Sequence, residues 1–394
     1  MTSKNVIDML DSSVMPTYSR FPVAFESGKG ATLTDFDGKE YIDFASGIGV
    51  NSIGYADEKW VNAVSAQAGK LAHVSNLYYT EPCAQLAKEL KNRTGMSQVF
   101  FSNSGAESNE GIIKLARKYS FDKYGEGRYN IVTLINSFHG RTVTTLKATG
   151  QERFHNYFFP FTEGFTYAVA GDIESVKEAA GTNTCAIMME LVQGEGGVMP
   201  LSPEFVNAVL RFCTDNDILL LIDEVQTGVG RTGSLFAFQQ YELLPDAVSF
   251  AKGIGGGLPL GGFMVNEKCK NVLGPGTHAT TFGGNPICCA GALAVLETLD
   301  NNFLKEVVSK GEYFRRELSA INSKYITDVR GLGLMIGVEV NGTSHSDLVK
   351  KMLEAGVVCL TAGSNVIRLL PPLTISYEEI DNGLAIFKKV MEEI

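Results

Sequence analysis

Apolar residues in the middle of the chain form short continuous runs, separated by longer segments with helical character. Such runs predict strands because a strand buried on both faces is apolar at nearly every position. We predict strands at Gln98 to Ser102, Asn130 to Asn136, Cys185 to Leu191, Ile218 to Glu224, Ala247 to Ala251 and Gly262 to Val265. Helices are predicted at Ser104 to Tyr119 and Pro203 to Asn216. This alternation indicates a mostly parallel sheet covered by helices.

The pattern changes from about Leu293, where helical and strand-like segments mix. Helices are predicted at Leu293 to Leu299, Phe303 to Ile321, Ser346 to Glu354 and from Tyr377, with strands at Leu334 to Val340 and Val366 to Leu370. This mixture indicates a smaller α+β unit. Thr32 to Phe44 is predicted to add a hairpin to it, with Asp37-Gly38 as the turn.

A chain of 394 residues is too long for one small core, so we expect two domains in an α/β fold. Residues 1–50 are expected to contribute to the smaller domain. Residues 51–292 would form the large domain and residues 293–394 the C-terminal small domain.

Composition narrows the functional classes. The net charge of -10 argues against a nucleic-acid surface, which needs a basic patch. Met1 to Leu10 contains no apolar run long enough for a signal peptide or a membrane span. We therefore expect a cytoplasmic protein that binds neither nucleic acid nor membranes.

Cysteine and histidine positions give no sign of a disulfide framework or a metal site. The seven cysteines include no Cys-x-x-Cys pair, and Cys288 and Cys289 are adjacent, which rarely allows a structural bridge. The five histidines are scattered without metal-ligand spacing. We expect reduced thiols, no metal and structural histidines.

The segment Ser104-Gly105-Ala106-Glu107 follows a predicted strand and opens a predicted helix. Serine followed three residues later by glutamate is a capping box, which alone accounts for the pattern. Gly105 and Ala106 have minimal side chains, so an anion such as phosphate could approach their backbone N–H groups at the helix start.

Two carboxylates, Asp223 and Glu224, end the apolar strand that begins at Ile218. Ligands bind at such strand ends in α/β enzymes, although solvent-facing acids are the commoner explanation. A buried carboxylate at this place would need a cationic partner, and a protonated pyridine nitrogen is one.

Lys252 directly follows a short strand and precedes a glycine-rich turn that ends at Gly257. Most lysines are solvated surface charges, but no charged residue lies near this one between Val248 and Met264. Apolar surroundings lower the pKa of an amine and favour the neutral form that attacks a carbonyl. The glycines leave room for a planar cofactor.

Gly228 to Gly233 matches the pattern G-x-G-x-x-G and suggests a competing dinucleotide site. Such a site also needs an acid about 20 residues later, at the end of the next strand. The segment Val248 to Ile254 offers Lys252 there and no acid. A nicotinamide-dependent oxidoreductase is therefore a distant alternative.

Taken together, the chain resembles the class III aminotransferases of fold type I, and within them the acetylornithine aminotransferase group, from about Tyr18 to the C-terminus. The matching segments are Phe100 to Glu107, Ser137 to Thr142, Gln193 to Val198, Leu221 to Gly228, Ala251 to Gly253, Thr280 to Pro286 and Val366 to Pro372. The resemblance implies pyridoxal 5'-phosphate as cofactor, held as a Schiff base by Lys252.

The resemblance also implies the cofactor contacts. They are Ser104, Gly105, Ala106, Phe138, Asp223, Val225, Gln226, Lys252 and Thr281. In this assignment Asp223 pairs with the pyridine nitrogen, Phe138 stacks on the ring and Gln226 contacts the ring hydroxyl. Thr281 would reach the phosphate of the neighbouring subunit, which implies a homodimer with shared active sites.

Substrate contacts follow from the same resemblance and are Arg141, Glu195, Thr280 and Arg368. Arg141 is expected to bind a substrate carboxylate through its fork of donors. Arg368 would bind the α-carboxylate of glutamate, and Glu195 would pair with Arg368 when the other substrate is bound. A surface salt bridge is the ordinary alternative for this last pair.

The implied reaction transfers an amino group between N2-acetyl-L-ornithine and 2-oxoglutarate, an amino acid and a 2-oxo acid on the route to arginine. Aminotransferases for ornithine, succinylornithine, 4-aminobutyrate or the lysine pathway remain alternatives because they differ in few pocket residues. A mutase or racemase of the same fold, or an inactive scaffold, also stays open. The Glu195 and Arg368 pair favours an aminotransferase that uses glutamate.

Overall fold

The computed structural model describes all residues, 1–394. The helices are α1 Ser3–Ser13, α2 Ser46–Gly49, α3 Glu58–Lys70, α4 Glu81–Thr94, α5 Gly105–Tyr124, α6 Val143–Ala148, α7 Ile173–Ala179, α8 Pro203–Asp215, α9 Pro286–Thr298, α10 Asn301–Ser319, α11 His345–Ala355 and α12 Tyr377–Glu392. Short 3₁₀ turns lie at Glu152–Phe154, Ala237–Gln239, Lys252–Gly255 and Glu267–Cys269.

Strands form four sheets. They are β1 Phe25–Lys29, β2 Thr32–Asp35, β3 Glu40–Asp43, β4 Gln98–Ser102, β5 Asn130–Leu134, β6 Phe165–Ala168, β7 Thr184–Met189, β8 Val192–Gln193, β9 Met199–Pro200, β10 Leu219–Asp223, β11 Ala247–Phe250, β12 Gly261–Val265, β13 Ile326–Leu332, β14 Met335–Val340, β15 Val357–Val358, β16 Leu360–Ala362 and β17 Val366–Leu369.

The largest sheet has seven strands in the order β4-β12-β11-β10-β7-β5-β6. Strands β11, β10, β7, β5 and β6 run parallel to one another. Strand β12 runs antiparallel to both of its neighbours, β11 and β4. The sheet is therefore mostly parallel, and its carboxyl-end edge collects the residues that follow β10 and β11.

Alternation along β10 separates the two faces of this sheet. Leu219 and Leu221 pack in one buried cluster with Ile112 of α5. Leu220 and Ile222 belong to the larger core on the opposite face. Because successive side chains of a strand point to opposite faces, Asp223 faces the α5 side and Glu224, which follows it, points the other way.

The smaller sheets join distant parts of the chain. Strands β2 and β3 form an antiparallel hairpin, and β3 pairs in parallel with β15 from the C-terminal part. The sheet β13-β14-β17-β16 carries Arg368 on β17. N-terminal residues thus share a sheet with C-terminal ones, whereas the predicted boundaries at residues 50 and 292 stay a prediction.

Six helices, α1, α2, α3, α4, α6 and α7, were not predicted from the apolar pattern. Helices α3 and α4 precede the large sheet, and α9 begins at Pro286 with Asn285 as its N-cap, earlier than predicted. No single helix is long and apolar enough to cross a membrane, and only α9 and α10 together, bent by 73°, reach the required length and composition.

Candidate active site

Asp223 ends β10 at the carboxyl edge of the large sheet and is only 3% exposed. Its Oδ2 accepts a hydrogen bond from Asn109 Nδ2 at 2.7 Å and lies 2.8 Å from His139 Nδ1. Its Oδ1 accepts the N–H of Val225 at 3.0 Å. These contacts fix the carboxylate in a buried position from which it can pair with a cationic ring.

His139 and Asn109 are site residues that the sequence reasoning did not single out. The His139 side chain is fully buried on Asp223, and its Nε2 has no hydrogen-bond partner. Asn109 lies on α5 and also donates to the carbonyl oxygen of His139 at 2.7 Å. The position of His139 within the segment Ser137 to Thr142 was the one available signal.

Lys252 stands in the 3₁₀ turn directly after β11, with a φ of 46° in the left-handed region. A residue with a side chain pays a steric cost there, and such conformations cluster at functional sites. Burial lowers the pKa of Lys252, and the positive charge of Arg368 lowers it further. The amine is thereby shifted toward the neutral, nucleophilic form that the sequence predicted.

The start of α5 forms a cradle of backbone donors. Ser104 is the N-cap, and its Oγ accepts the N–H of Glu107 at 3.2 Å, which is the first half of the predicted capping box. The second half does not form, because Glu107 Oε2 accepts the N–H of Asn103 at 2.7 Å instead of that of Ser104. Gly105 and Ala106 are the first two helical residues, so their N–H groups have no acceptor within the helix. A Cβ on Gly105 would lie 2.6 Å from Val225 Cγ1, so only glycine fits between this helix and the loop after Asp223.

Phe138 and Arg141 both contact the ring of Phe154. The Phe138 ring lies edge-on to Phe154 at 6.0 Å between centroids, and the Arg141 guanidinium lies 4.3 Å from the Phe154 centroid. Glu190 Oε2 accepts the backbone N–H of Phe138 at 3.0 Å, and burial raises the pKa of Glu190 to about 7. Arg141 is exposed and has no acidic partner within the chain, which leaves it free for a ligand.

Glu195 and Arg368 form the ion pair expected from the sequence, with Oε1 and Nη1 2.7 Å apart. The Arg368 side chain is 3% exposed, and its Nη1 also donates to Gln226 Oε1 at 3.1 Å. Its Nε is buried without a partner. This buried guanidinium therefore retains a free donor that a ligand carboxylate could use.

Thr280 and Thr281 lie in a loop beside the start of α5. Thr280 Oγ1 accepts a hydrogen bond from Asn103 Nδ2 at 3.1 Å, one residue before the N-cap. Thr281 is exposed, and the Phe282 side chain next to it is 60% exposed. Thr280 thus joins the other site residues within the chain, whereas Thr281 faces outward.

The glycine-rich segment Gly228 to Gly233 does not have the geometry of a dinucleotide site. It forms turns rather than a strand-to-helix transition, so it offers no helix start for a pyrophosphate. Its Arg231 is 2% exposed and donates through Nη1 to the carbonyl oxygens of Leu334 and Pro371. The segment joins parts of the fold instead.

The assembled groups fit pyridoxal phosphate. The buried Asp223 suits a protonated ring nitrogen, the free N–H groups of Gly105 and Ala106 suit a phosphate, and the amine of Lys252 suits a carbonyl carbon. Gly105 packs directly against Val225, so the start of α5 lies beside the loop that follows Asp223.

Comparison with known proteins identifies the family. The family Aminotransferase class-III matches residues 14–391. Acetylornithine aminotransferases from Haemophilus ducreyi and Methanocaldococcus jannaschii are 50% and 45% identical to this chain, and each alignment covers 100% of both proteins.

Solved structures agree with this result. The ornithine aminotransferase from Toxoplasma gondii ME49 superposes with a TM-score of 0.94 at 31% identity, over 100% of this chain and 96% of that one. Acetylornithine aminotransferase from Elizabethkingia anophelis gives a TM-score of 0.89 at 30% identity over 100% of both chains. These neighbours confirm the predicted α/β fold, and the chain belongs to the class-III aminotransferase family.

Proposed function

We propose that this aminotransferase transfers an amino group between N2-acetyl-L-ornithine and 2-oxoglutarate. The products are N-acetyl-L-glutamate 5-semialdehyde and L-glutamate, and the reaction belongs to arginine biosynthesis. Membership of the class-III family implies pyridoxal 5'-phosphate as the cofactor. The acetylornithine aminotransferases at 50% and 45% identity support this choice of substrate.

The observation that carries the proposal is the contrast between two arginines. Arg368 is buried and paired with Glu195 at 2.7 Å, whereas Arg141 is exposed and has no acidic partner. Arg141 can bind a carboxylate of every substrate, whereas Arg368 can bind one only when Glu195 releases it. Such a site can accept both a substrate with one carboxylate and a substrate with two. N2-acetyl-L-ornithine has one carboxylate and 2-oxoglutarate has two.

Different residues would hold different parts of the cofactor. Lys252 would hold it covalently through Nζ, Asp223 would keep the ring nitrogen protonated, and the N–H groups of Gly105 and Ala106 would bind the phosphate. When bound, pyridoxal phosphate supplies a carbonyl carbon for the amino group and a ring that withdraws electrons from the neighbouring carbon. Phe138 provides an aromatic face against that ring.

Lys252 would also move the proton, after the amine of the substrate has displaced it and left its Nζ free. Its Nζ accepts the proton that leaves the carbon bearing the transferred amine, and an amine can do this only when it is neutral. Burial and the charge of Arg368 lower the pKa of Lys252, which favours this neutral form. Glu195 holds Arg368 while N2-acetyl-L-ornithine reacts and releases it for 2-oxoglutarate.

We further propose a cytoplasmic homodimer in which Thr281 completes the partner's cofactor site. The exposed loop of Thr281 and Phe282, and exposed apolar residues such as Leu77 and Tyr79, are suited to a contact with a second copy. Seven unpaired cysteines agree with a reducing compartment. Light scattering that shows only monomers would contradict the shared site.

Replacing Lys252 with alanine tests the mechanism. We expect multiple turnover to be lost because no other amine stands at this position, while the unfolding midpoint stays close to that of the wild type. Lys350→Ala, at an exposed lysine of α11, serves as the control and should retain full activity. Near wild-type turnover by Lys252→Ala without added amine would refute the assignment.

A panel of amino donors with 2-oxoglutarate tests the substrate. We expect kcat/KM to be highest for N2-acetyl-L-ornithine among this compound, ornithine, N-succinylornithine and 4-aminobutyrate. A clear preference for ornithine or 4-aminobutyrate would overturn the proposed substrate and leave the chemistry unchanged. N-succinylornithine as the best donor would change only the acyl group.

A further inference from the structure

The turn from Ser46 to Gly49 is wound in the left-handed sense. The four φ values are 43°, 62°, 65° and 77°. Two of these residues are glycines, but Ser46 and the β-branched Ile48 are strained in this region. Strain of this kind persists only where surrounding contacts hold it in place.

Asp43 provides the first set of those contacts. Its carboxylate is 1% exposed, and Oδ1 accepts the N–H groups of Ala45 and Ser46 at 2.7 and 3.0 Å. Its Oδ2 accepts the hydroxyl of Tyr55 at 2.8 Å. One buried carboxylate, that of Asp43, therefore holds the start of the left-handed turn through hydrogen bonds to its backbone.

Arg231, from the glycine-rich segment that does not bind a dinucleotide, provides the second set. Its Nη2 donates to Ser46 Oγ at 3.4 Å, and its Nη1 donates to the carbonyl oxygens of Leu334 and Pro371. One buried guanidinium thus joins the turn to the end of β17 and to the residue before β14. The guanidinium fork suits this task because it makes several hydrogen bonds in fixed directions.

The turn lies between two segments of the site, the end of β17 that carries Arg368 and the 3₁₀ turn that carries Lys252. Ser46 Oγ donates to the carbonyl oxygen of Leu370 at 2.6 Å, just beyond β17, which carries Arg368. On the other side, Ser52 Oγ donates to the carbonyl oxygen of Gly253 at 2.8 Å, next to Lys252. A displacement of the turn would therefore move the end of β17 relative to Lys252.

We propose that Asp43, Ser46 and Arg231 are positioning residues for Arg368, holding the left-handed turn against the end of β17 so that the guanidinium keeps its place when Glu195 releases it. This inference rests on the proposed use of Arg368 as a carboxylate clamp. While Glu195 is paired, Arg368 is held by that ion pair and by Gln226. Once the pair opens, Arg368 keeps its hydrogen bond to Gln226, and the rest of its placement comes from the backbone of β17, which is paired with β14 and β16.

The two half-reactions consequently depend on this network to different extents. N2-acetyl-L-ornithine reacts with Glu195 and Arg368 still paired, so a looser β17 end has little effect on it. 2-Oxoglutarate needs Arg368 released and correctly placed. Loss of the network should weaken the binding of dicarboxylates and spare the other substrate, which a general loss of structure would not do.

Ser46→Ala removes one hydroxyl from the network. We expect KM for 2-oxoglutarate to rise about fivefold, the factor that corresponds to one ordinary buried hydrogen bond. KM for N2-acetyl-L-ornithine should stay within about twofold of wild type. Glutarate, an unreactive dicarboxylate, should bind the holoenzyme about fivefold more weakly by calorimetry. Arg231→Gln should act in the same direction more strongly.

Thr94→Val is the matched control, because Thr94 Oγ1 also donates to a buried carbonyl oxygen at 2.6 Å but lies outside this network. It should alter neither KM nor glutarate affinity. The inference would be overturned if Ser46→Ala raised both KM values equally, or if it left the affinity for glutarate unchanged. Ser46→Ala alone decides the matter if Arg231→Gln does not fold. A wild-type enzyme that does not use 2-oxoglutarate would instead overturn the proposed function.

Discussion

Asp223 and Glu224 are adjacent acids at the end of one strand, and they lie in opposite environments. Asp223 faces α5, where Asn109, His139 and the N–H of Val225 surround its carboxylate. Glu224 faces the other core, where it accepts the N–H groups of Ala237 and Phe238 and the hydroxyl of Thr227. Both are almost completely buried, at 3% and 0% exposed.

The difference shows how strand alternation assigns two identical functional groups to different tasks. The Asp223 carboxylate lies near Lys252, where its negative charge acts to raise the pKa of that amine. The Glu224 carboxylate holds the 3₁₀ turn at Ala237–Gln239 by accepting backbone N–H groups of that turn. Chemistry is therefore expected from the first acid and stability from the second.

The largest effect is expected for Asp223→Asn. An amide carries no charge to keep the ring nitrogen protonated, so kcat should fall on the order of 1,000-fold. The free energy of unfolding should fall by about 1–3 kcal/mol, because the amide NH2 then faces a donor, either Asn109 Nδ2 or the N–H of Val225. Steady-state kinetics and urea unfolding of the same preparation provide the measurement, and a kcat within tenfold of wild type would remove the distinction between the two acids.

Glu224→Gln should instead change stability in a pH-dependent way. Burial raises the pKa of Glu224 to about 7 from an ordinary value of 4.5. Because the native state binds this proton more tightly than the unfolded chain, the group stabilises the fold below pH 4.5, and this contribution is lost as the pH rises through 7. The loss amounts to about 3 kcal/mol, at 1.36 kcal/mol for each pKa unit.

The glutamine side chain cannot titrate, so the free energy of unfolding of Glu224→Gln should rise relative to wild type between pH 4.5 and 8 by up to about 3 kcal/mol. Urea unfolding at several pH values measures this. The kcat of the variant should stay within a few-fold of wild type. A difference in stability that does not depend on pH would show that Glu224 is ionised in the native protein at all these pH values.

A smaller effect is expected for Asn109→Ala, on the Asp223 side. The variant removes the donor to Asp223 Oδ2 and to the carbonyl oxygen of His139, both at 2.7 Å. We expect kcat to fall at least about tenfold, the lower end of the effect of one hydrogen bond to a charged group. Asn130→Ala is the control, since Asn130 is also buried but bonds Thr166 and Thr184 instead. Equal losses of kcat in both variants would contradict a specific role for Asn109.

The sequence predicted the elements of the large sheet well because buried strands and capped helices leave local patterns. Gln98–Ser102 matches its prediction, and the helix start at Pro203 was also correct. The apolar pattern of β12 did not indicate the direction of the strand, because a short apolar run has the same pattern in a parallel and an antiparallel strand. Its antiparallel pairing agrees with the connection from β11, residues 251–260, which is shorter than a parallel crossover usually needs.

The candidate site was predictable where a motif carried it and not where distant residues meet. Glu195 and Arg368 were expected to pair, and the structure places them together. The contact of His139 with Asp223 joins residues 84 positions apart, and no local pattern encodes it. The role of Arg231 was hidden for the same reason, since its partners come from three other segments.

The pairing of β3 with β15 has a consequence for the order in which the protein is made. Ile42 finds its partner Val357 only after roughly 300 further residues have been synthesised. At about 5–20 residues per second, the N-terminal hairpin waits roughly 15–60 s with one edge open. During that time the large sheet, which needs no residue beyond Val265, can already form. The strained turn at Ser46 therefore acquires its final contacts at the end of synthesis, when Leu370 arrives.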